Sequence, residues 1–158
     1  MGIVISREEA LWLRSRHAAQ RIVSACGCFD ILHIGHLEYL EGAAKWGRVL
    51  FVGVNSDASI ERNKGKPPYF SLQDRMRMIA ALTCVDYVFP FSERTFSLSL
   101  FLLRPSVLAR GVDAAVKGFP EKRAAASLGI EVKRIGREKR ASSSKLRDIL
   151  RQGPATKT

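Results

Sequence analysis

The stretch Ala25-Cys-Gly-Cys-Phe-Asp-Ile-Leu-His-Ile-Gly-His36 constrains this chain more than any other. Ile22, Val23 and Ala25 read as the end of a short buried strand, and Leu37, Leu40, Ala43 and Ala44 recur at helical spacing. Such a strand-to-helix turn aims free backbone N–H groups at one point, and the helix dipole adds partial positive charge there. A polyphosphate suits that position. His33 and His36 stand three apart at the helix mouth, so both rings can face the same anion. The plainer alternative is a capping histidine beside an ordinary glycine turn. Two histidines flanking a glycine, directly after Gly-x-Phe-Asp, weigh against it.

Around this turn the chain alternates strand and helix patterns. Strands are expected over 21–26, 48–54, 85–89, 106–110 and 130–135. Helices are expected over 6–20, 35–46, 71–82, 92–103 and 120–128, with capping-box spacing at Ser6-Arg-Glu-Glu9 and Ser71-Leu-Gln-Asp74. Pro105 ends one helix and Gly129 another. Regular alternation implies an α/β domain with a parallel, doubly wound, five-stranded sheet and helices on both faces. We place that domain at residues 21–151, a helical extension at 1–20 and a frayed tail at 152–158.

The run Arg48–Val54 reads as a strand buried on both faces, and it ends in Asn55-Ser56-Asp57. Polar residues just past such a strand lie where open α/β sheets bind ligands, so Asn55 is a binding candidate. Asp57 either contacts substrate or caps the next helix. Asn63–Phe70 reads as a loop, because Gly65, Pro67 and Pro68 interrupt regular structure. Its Lys64 and Lys66 would attract phosphate, or the loop is simply a solvated connector.

Composition narrows the partners. The 158 residues fit one self-sufficient core, and no apolar run is long enough to cross a bilayer. The N-terminus carries no secretory pattern. Cys26, Cys28 and Cys84 do not make a disulfide framework, and Cys26-x-Cys28 lacks zinc or redox spacing. Reduced packing cysteines suit a cytoplasmic protein. The net charge of +11, concentrated between Lys133 and Arg151, suits an anionic ligand and raises nucleic acid as a partner. The lack of spaced aromatics argues against a nucleic-acid-binding module. Helix 6–20 and the greasy segment 96–103 hint at a homodimer.

Gly27-Cys-Phe-Asp30 and His33-Ile-Gly-His36 resemble the signature of the cytidylyltransferase-like nucleotidyltransferases, a likeness that extends over nearly the whole chain after residue 20. The second motif also has the letters of the HIGH motif of class I aminoacyl-tRNA synthetases, but nothing here is long enough to read a tRNA. The resemblance implies a Rossmann-like domain whose turn (Gly27, Cys28, Phe29, Asp30 and Gly35) binds a nucleoside triphosphate, ATP or CTP. His33 and His36 would stabilise the α-phosphorus while a substrate phosphate displaces pyrophosphate. Ala44-Lys45-Trp46-Gly47 is close to a context whose Lys reaches the triphosphate, which makes Lys45 a catalytic candidate. Gln73-Asp-Arg75-Met likewise suggests Arg75 at the substrate. Val54-Asn-Ser-Asp57 resembles the branch that adenylates heptose 1-phosphate. At the next junction Arg110, Gly111 and Asp113 match that branch in type as nucleotide-binding residues, whereas Val112 replaces a Gly and Ala114 a Tyr. Arg137 as a catalytic group, and Ser142, Ser143 and Ser144 as nucleotide-phosphate ligands, match the family's last helix start. The bland alternative for that segment is a serine-rich basic linker.

The implied reaction is nucleotidyl transfer, most simply of AMP from ATP to a sugar 1-phosphate such as heptose 1-phosphate. A cytidylyltransferase for glycerol 3-phosphate or an amino-alcohol phosphate is the runner-up. Magnesium is the expected cofactor, bridging phosphate oxygens with few protein ligands. Asp30 is the nearest acidic candidate, unless it fixes the turn by bonding backbone.

Overall fold

A computed structural model describes residues 1–112 and 119–136. Its elements run β1 (Ile3–Val4), α1 (Arg7–Arg16), β2 (Ile22–Gly27), α2 (Ile34–Ala44), β3 (Val49–Asn55), α3 (Asp57–Lys64), α4 (Leu72–Ala80), β4 (Tyr87–Phe91), α5 (Ser97–Leu103), β5 (Val107–Gly111), α6 (Lys122–Ser127) and β6 (Glu131–Ile135). Among the described residues the strands form one sheet in the order β1-β4-β3-β2-β5-β6, and every pairing is parallel. The expected five strands are joined by a sixth, the two-residue edge strand β1, which pairs Ile3 with Tyr87 and Val4 with Val88.

Alternation along the strands sorts side chains into two layers. Val23, Ala25, Leu50, Val52, Val54 and Val88 face α2 and α4, where they meet Leu40, Ala43, Met76 and Ile79. Ile22, Cys26, Phe51, Phe89 and Leu108 face α1, α5 and α6, where Ala10, Phe96, Leu100 and Ala125 complete the second core. A fully buried aliphatic or Phe side chain contributes about 1.5–3 kcal/mol, so these layers dominate stability. The two cores are the helices-on-both-faces arrangement expected from the alternating pattern.

Local chemistry sets the helix starts. Ser6 accepts from the Glu9 N–H while Glu9 accepts from the Ser6 N–H, a complete capping box. Ser71 caps α4 through the Asp74 N–H. Residues 57–64 form α3, capped by Ser56 and closed by Gly65 at φ 69°. Asn63 and Lys64 therefore belong to a helix rather than to a loop. β4 lies two residues later than expected and includes Pro90, and α5 begins at Ser97 rather than Ser92.

Sequence neighbours β2, β3 and β4 extend to one side of the sheet, and β5 and β6 to the other. The order reverses between β2 and β5, which pair at only Val23↔Val107 and Ser24↔Leu108 before separating. Open α/β sheets bind ligands at the carboxyl end of such a switch point.

Candidate active site

At that switch point a cleft of about 630 Å³ opens between the ends of β2, β3, β5 and β6. Tyr39 of α2 bridges its floor. The hydroxyl donates to Ala109 O at 2.8 Å and accepts from the Cys26 N–H at 3.4 Å, tying β5 to β2 where their ladder stops. Burial raises the pKa of this hydroxyl, so it stays a donor.

The turn after β2 carries both histidines. His33 is the N-cap of α2, with Nδ1 accepting from the Gly35 N–H at 3.1 Å. A capping Nδ1 acceptor leaves the proton of a neutral ring on Nε2. The His36 ring stacks on His33 with centroids 3.9 Å apart and planes 19° from parallel. Phe29 meets the His36 ring edge-on, with centroids 5.2 Å apart. Phe29 is buried, yet its backbone sits at φ 48°, a left-handed conformation uncommon for a bulky residue. The helix N-terminus, the His33 imidazole and the His36 ring thus converge on the cleft.

Two buried groups lock this turn. Asp30 accepts from the Tyr69 N–H at 2.7 Å and from the Phe70 N–H at 3.4 Å, pinning the 65–71 connection beneath it. Of the two roles open to Asp30, bonding backbone is the one the structure displays. Arg75 is fully buried and donates to Cys28 O, Asn55 O and Phe70 O at 2.6, 2.8 and 3.1 Å, and to Asp57 Oδ1 at 2.6 Å. It therefore clamps the ends of three loops from below. Asp57 also accepts from the Leu72 N–H at 3.3 Å, so it bonds the start of α4, the next element, while Ser56 caps its own helix.

The far wall holds a buried pair. Arg110 Nη2 lies 3.7 Å from Glu121 Oε2, Nη1 donates to Cys26 Sγ at 2.9 Å, and Phe119 covers the guanidinium at 5.6 Å. Burial disfavours the charge on Arg110, but the Cys26 sulfur and the Glu121 carboxylate outweigh it and raise its pKa. Burial pushes the Cys26 thiol up to about 12 despite the neighbouring guanidinium, so it is protonated packing at neutral pH. Glu121 is itself buried and accepts from the Phe96 N–H at 2.9 Å.

Of the residues expected at the site, Gly27, Cys28, Phe29, Gly35, His36, Asn55, Lys64, Arg110 and Gly111 line the cleft, and His33 stacks against its edge. Asn55 Oδ1 accepts from Cys28 Sγ at 3.7 Å. Lys45 caps the opposite, C-terminal end of α2, exposed and outside the cleft lining, while Lys66 and Arg75 are also outside it. Asp113, Arg137, Ser142, Ser143 and Ser144 lie outside the described residues. Arg94, Thr95 and Glu121 line the cleft without having been singled out from the sequence. Buried Glu121 carried one signal, a lone acid ahead of a small apolar helix. Among the described residues no three His, Cys, Asp or Glu gather as metal ligands. Trp12, Trp46, Tyr69, Phe70 and Phe101 are exposed. Arg16 covers Trp12 at 5.0 Å and Lys133 covers Trp46 at 3.9 Å. No helix of the described residues is long and apolar enough to cross a membrane.

Known proteins place this architecture. The family described as Cytidylyltransferase-like matches residues 24–149. The bifunctional protein HldE of Geobacter sulfurreducens is 42% identical over 117 residues, 73% of this chain and 24% of that protein. The bifunctional protein HldE of Helicobacter pylori is 49% identical over 98 residues, 61% of this chain and 21% of that protein. The chain thus spans about a quarter of the length of these relatives. The crystal structure of the lipopolysaccharide core biosynthesis protein from Thermoplasma volcanium superimposes with a TM-score of 0.65 at 30% identity, covering 76% of this chain and 99% of that one. A nucleotide-sized cleft at the switch point, the paired histidines on the first turn of α2 and a family match over four-fifths of the sequence agree: the chain belongs to the cytidylyltransferase-like family of nucleotidyltransferases.

Proposed function

We propose that the chain transfers AMP from ATP to a sugar 1-phosphate, of which heptose 1-phosphate is the first candidate, with release of pyrophosphate. The observation that carries this reading is the stacked His33–His36 pair at the amino end of α2, beside the switch-point cleft. The kinship with proteins named HldE and with a lipopolysaccharide core biosynthesis protein supports a sugar phosphate as acceptor.

In this reaction an acceptor phosphate oxygen attacks the α-phosphorus. The bond from the α-phosphorus to the bridging oxygen breaks, and pyrophosphate leaves with that electron pair. No enzyme nucleophile is required, and the Cys26 thiol is held protonated. Rate enhancement comes from positioning and from donors aimed at the developing charge. His33 presents Nε2–H because its Nδ1 is committed to Gly35. The His36 ring contacts both His33 and Phe29, and the positive end of the α2 dipole adds to the same field. Magnesium, as the expected cofactor, would be carried by the phosphate oxygens and would shield their charge. A cytoplasmic homodimer is part of the same proposal. Leu11 and Trp12 of α1 and Leu98, Phe101 and Leu102 of α5 are exposed on two helices that pack together.

The test incubates the chain with magnesium, each of four nucleoside triphosphates and a panel of phosphorylated acceptors, and measures pyrophosphate. ATP with a sugar 1-phosphate should give turnover. Release from CTP alone, with glycerol 3-phosphate or an amino-alcohol phosphate, would replace this reading with the cytidylyltransferase.

A further inference from the structure

We infer that Glu121 is a positioning residue for nucleotide binding, acting through the Arg110 guanidinium and joining the two sides of the cleft. This rests on the nucleotidyl-transfer reading above. Glu121 directly precedes α6, and its side chain is only 4% exposed. Its Oε1 accepts from the Phe96 N–H at 2.9 Å. Phe96 is the N-cap residue of α5, a helix without a side-chain cap of its own, so a carboxylate from 25 residues away serves that end. Its Oε2 faces Arg110, 3.7 Å from Nη2. Thr95 and Phe96 line one side of the cleft, and Arg110 and Gly111 line the other. One buried carboxylate therefore ties the β4–α5 connection to the end of β5.

Arg110 depends on that carboxylate for its orientation. Its side chain is 15% exposed and Phe119 covers the guanidinium. The Cys26 thiol reached by Nη1 is protonated and a weak acceptor. Among the described residues Glu121 is the one carboxylate in ion-pair contact with Arg110. A buried guanidinium without a counter-charge is costly, so removing the carboxylate turns the side chain out of its seat. The pair is also incomplete. Among the described residues Arg110 Nε and Glu121 Oε2 are buried without a hydrogen-bond partner, and 3.7 Å is too long for one between the two groups. Arg110 thus keeps donors for a second anion while Glu121 holds its direction. Such a fork binds phosphate well only when its plane is fixed beforehand.

The experiment titrates the full chain with magnesium and a non-hydrolysable ATP analogue in a calorimeter, without acceptor. Glu121→Gln keeps the shape and the acceptor for the Phe96 N–H and removes only the counter-charge. It should raise the Kd of the analogue about tenfold to a hundredfold, the size expected for losing a charge-assisted bond. Arg110→Met should weaken binding at least as much. The double variant should bind no worse than Arg110→Met alone, because Glu121 acts through Arg110. Glu121→Asp keeps the charge and should recover part of the loss. In steady-state assays the KM for ATP should rise while the acceptor KM stays within about twofold of wild type, a split that a merely structural role would not produce. Wild-type affinity in both Glu121→Gln and Glu121→Asp overturns the inference. So does a double variant whose loss is the product of the single losses, or a wild type that does not bind the analogue. Should Glu121→Gln fail to fold, the same cycle is run with Glu121→Asp, whose loss must likewise vanish in the Arg110→Met background. If analogue binding follows this pattern while no acceptor turns over, the transfer reaction fails and the positioning role stands.

Discussion

Arg75 offers the sharpest separation between holding the site together and touching its ligand. Replacing it with Met keeps most of the stem and removes every donor. Three backbone acceptors, Cys28 O, Asn55 O and Phe70 O, then lose a charged partner in a place where Arg75 itself has no exposure. An unsatisfied buried group costs about 1–3 kcal/mol, with relaxation and entering water reducing the sum for neighbouring groups. The Asp57 pair adds little, because the Asp57 side chain is 48% exposed. The net loss should be about 3–5 kcal/mol. Urea unfolding followed by far-UV circular dichroism reads this directly. With a slope of about 2 kcal/mol/M the midpoint falls by about 2 M. The turn bearing Phe29 and the histidines should loosen as well, lowering kcat for every acceptor alike. If Arg75→Met unfolds at the wild-type midpoint and raises only the acceptor KM, the clamp argument is wrong and Arg75 contacts substrate.

Two further predictions use the same geometry. His33→Asn keeps a residue that caps helices well, so stability should change by less than about 0.5 kcal/mol, while turnover falls about a hundredfold or more with the loss of the ring donor; equal turnover would remove His33 from the chemistry. Burial works to raise the Glu93 pKa, but the Arg7 hydrogen bond and charge outweigh it and hold it below the usual value. Its stabilisation is therefore present above the unfolded-state pKa and lost as pH falls through the folded one, and Glu93→Gln should flatten that acid limb by up to about 1 kcal/mol between pH 5 and 3. An unchanged acid limb in the variant would show that the pair contributes nothing.

Helix starts and buried strands were legible because they are local. Ser6 and Ser71 announce their own caps, and Val49–Asn55 is apolar throughout. What depends on distant chain was not. The strand expected over 85–89 ends before Pro90, yet Pro90 lies within β4 opposite Val54. Val88 and Pro90 share parity and direct their backbone groups toward β1. That strand leaves the sheet after Ile5 bonds Val88 O, so no ladder bond is lost at Pro90. β1 itself is only two residues long, too short for a period to show. Arg75 was expected at the substrate from the resemblance of its Gln73-Asp-Arg75-Met setting. Its partners are carbonyls at three loop ends that only the fold brings together. Lys45 was assigned from neighbouring letters, and one helix length separates it from the histidines. The histidine turn was readable because strand, glycine, cap and ring are consecutive in the chain.

Position 29 is asked for two things that one residue does not supply together. Its backbone, at φ 48°, would be relaxed by glycine, while the His36 ring needs an aromatic edge beside it. Keeping Phe there favours catalytic geometry over conformational ease. Glycine would relieve that backbone but forfeit the packing of a buried phenyl ring, the larger of the two effects, so the substitution should lower the melting temperature and turnover together.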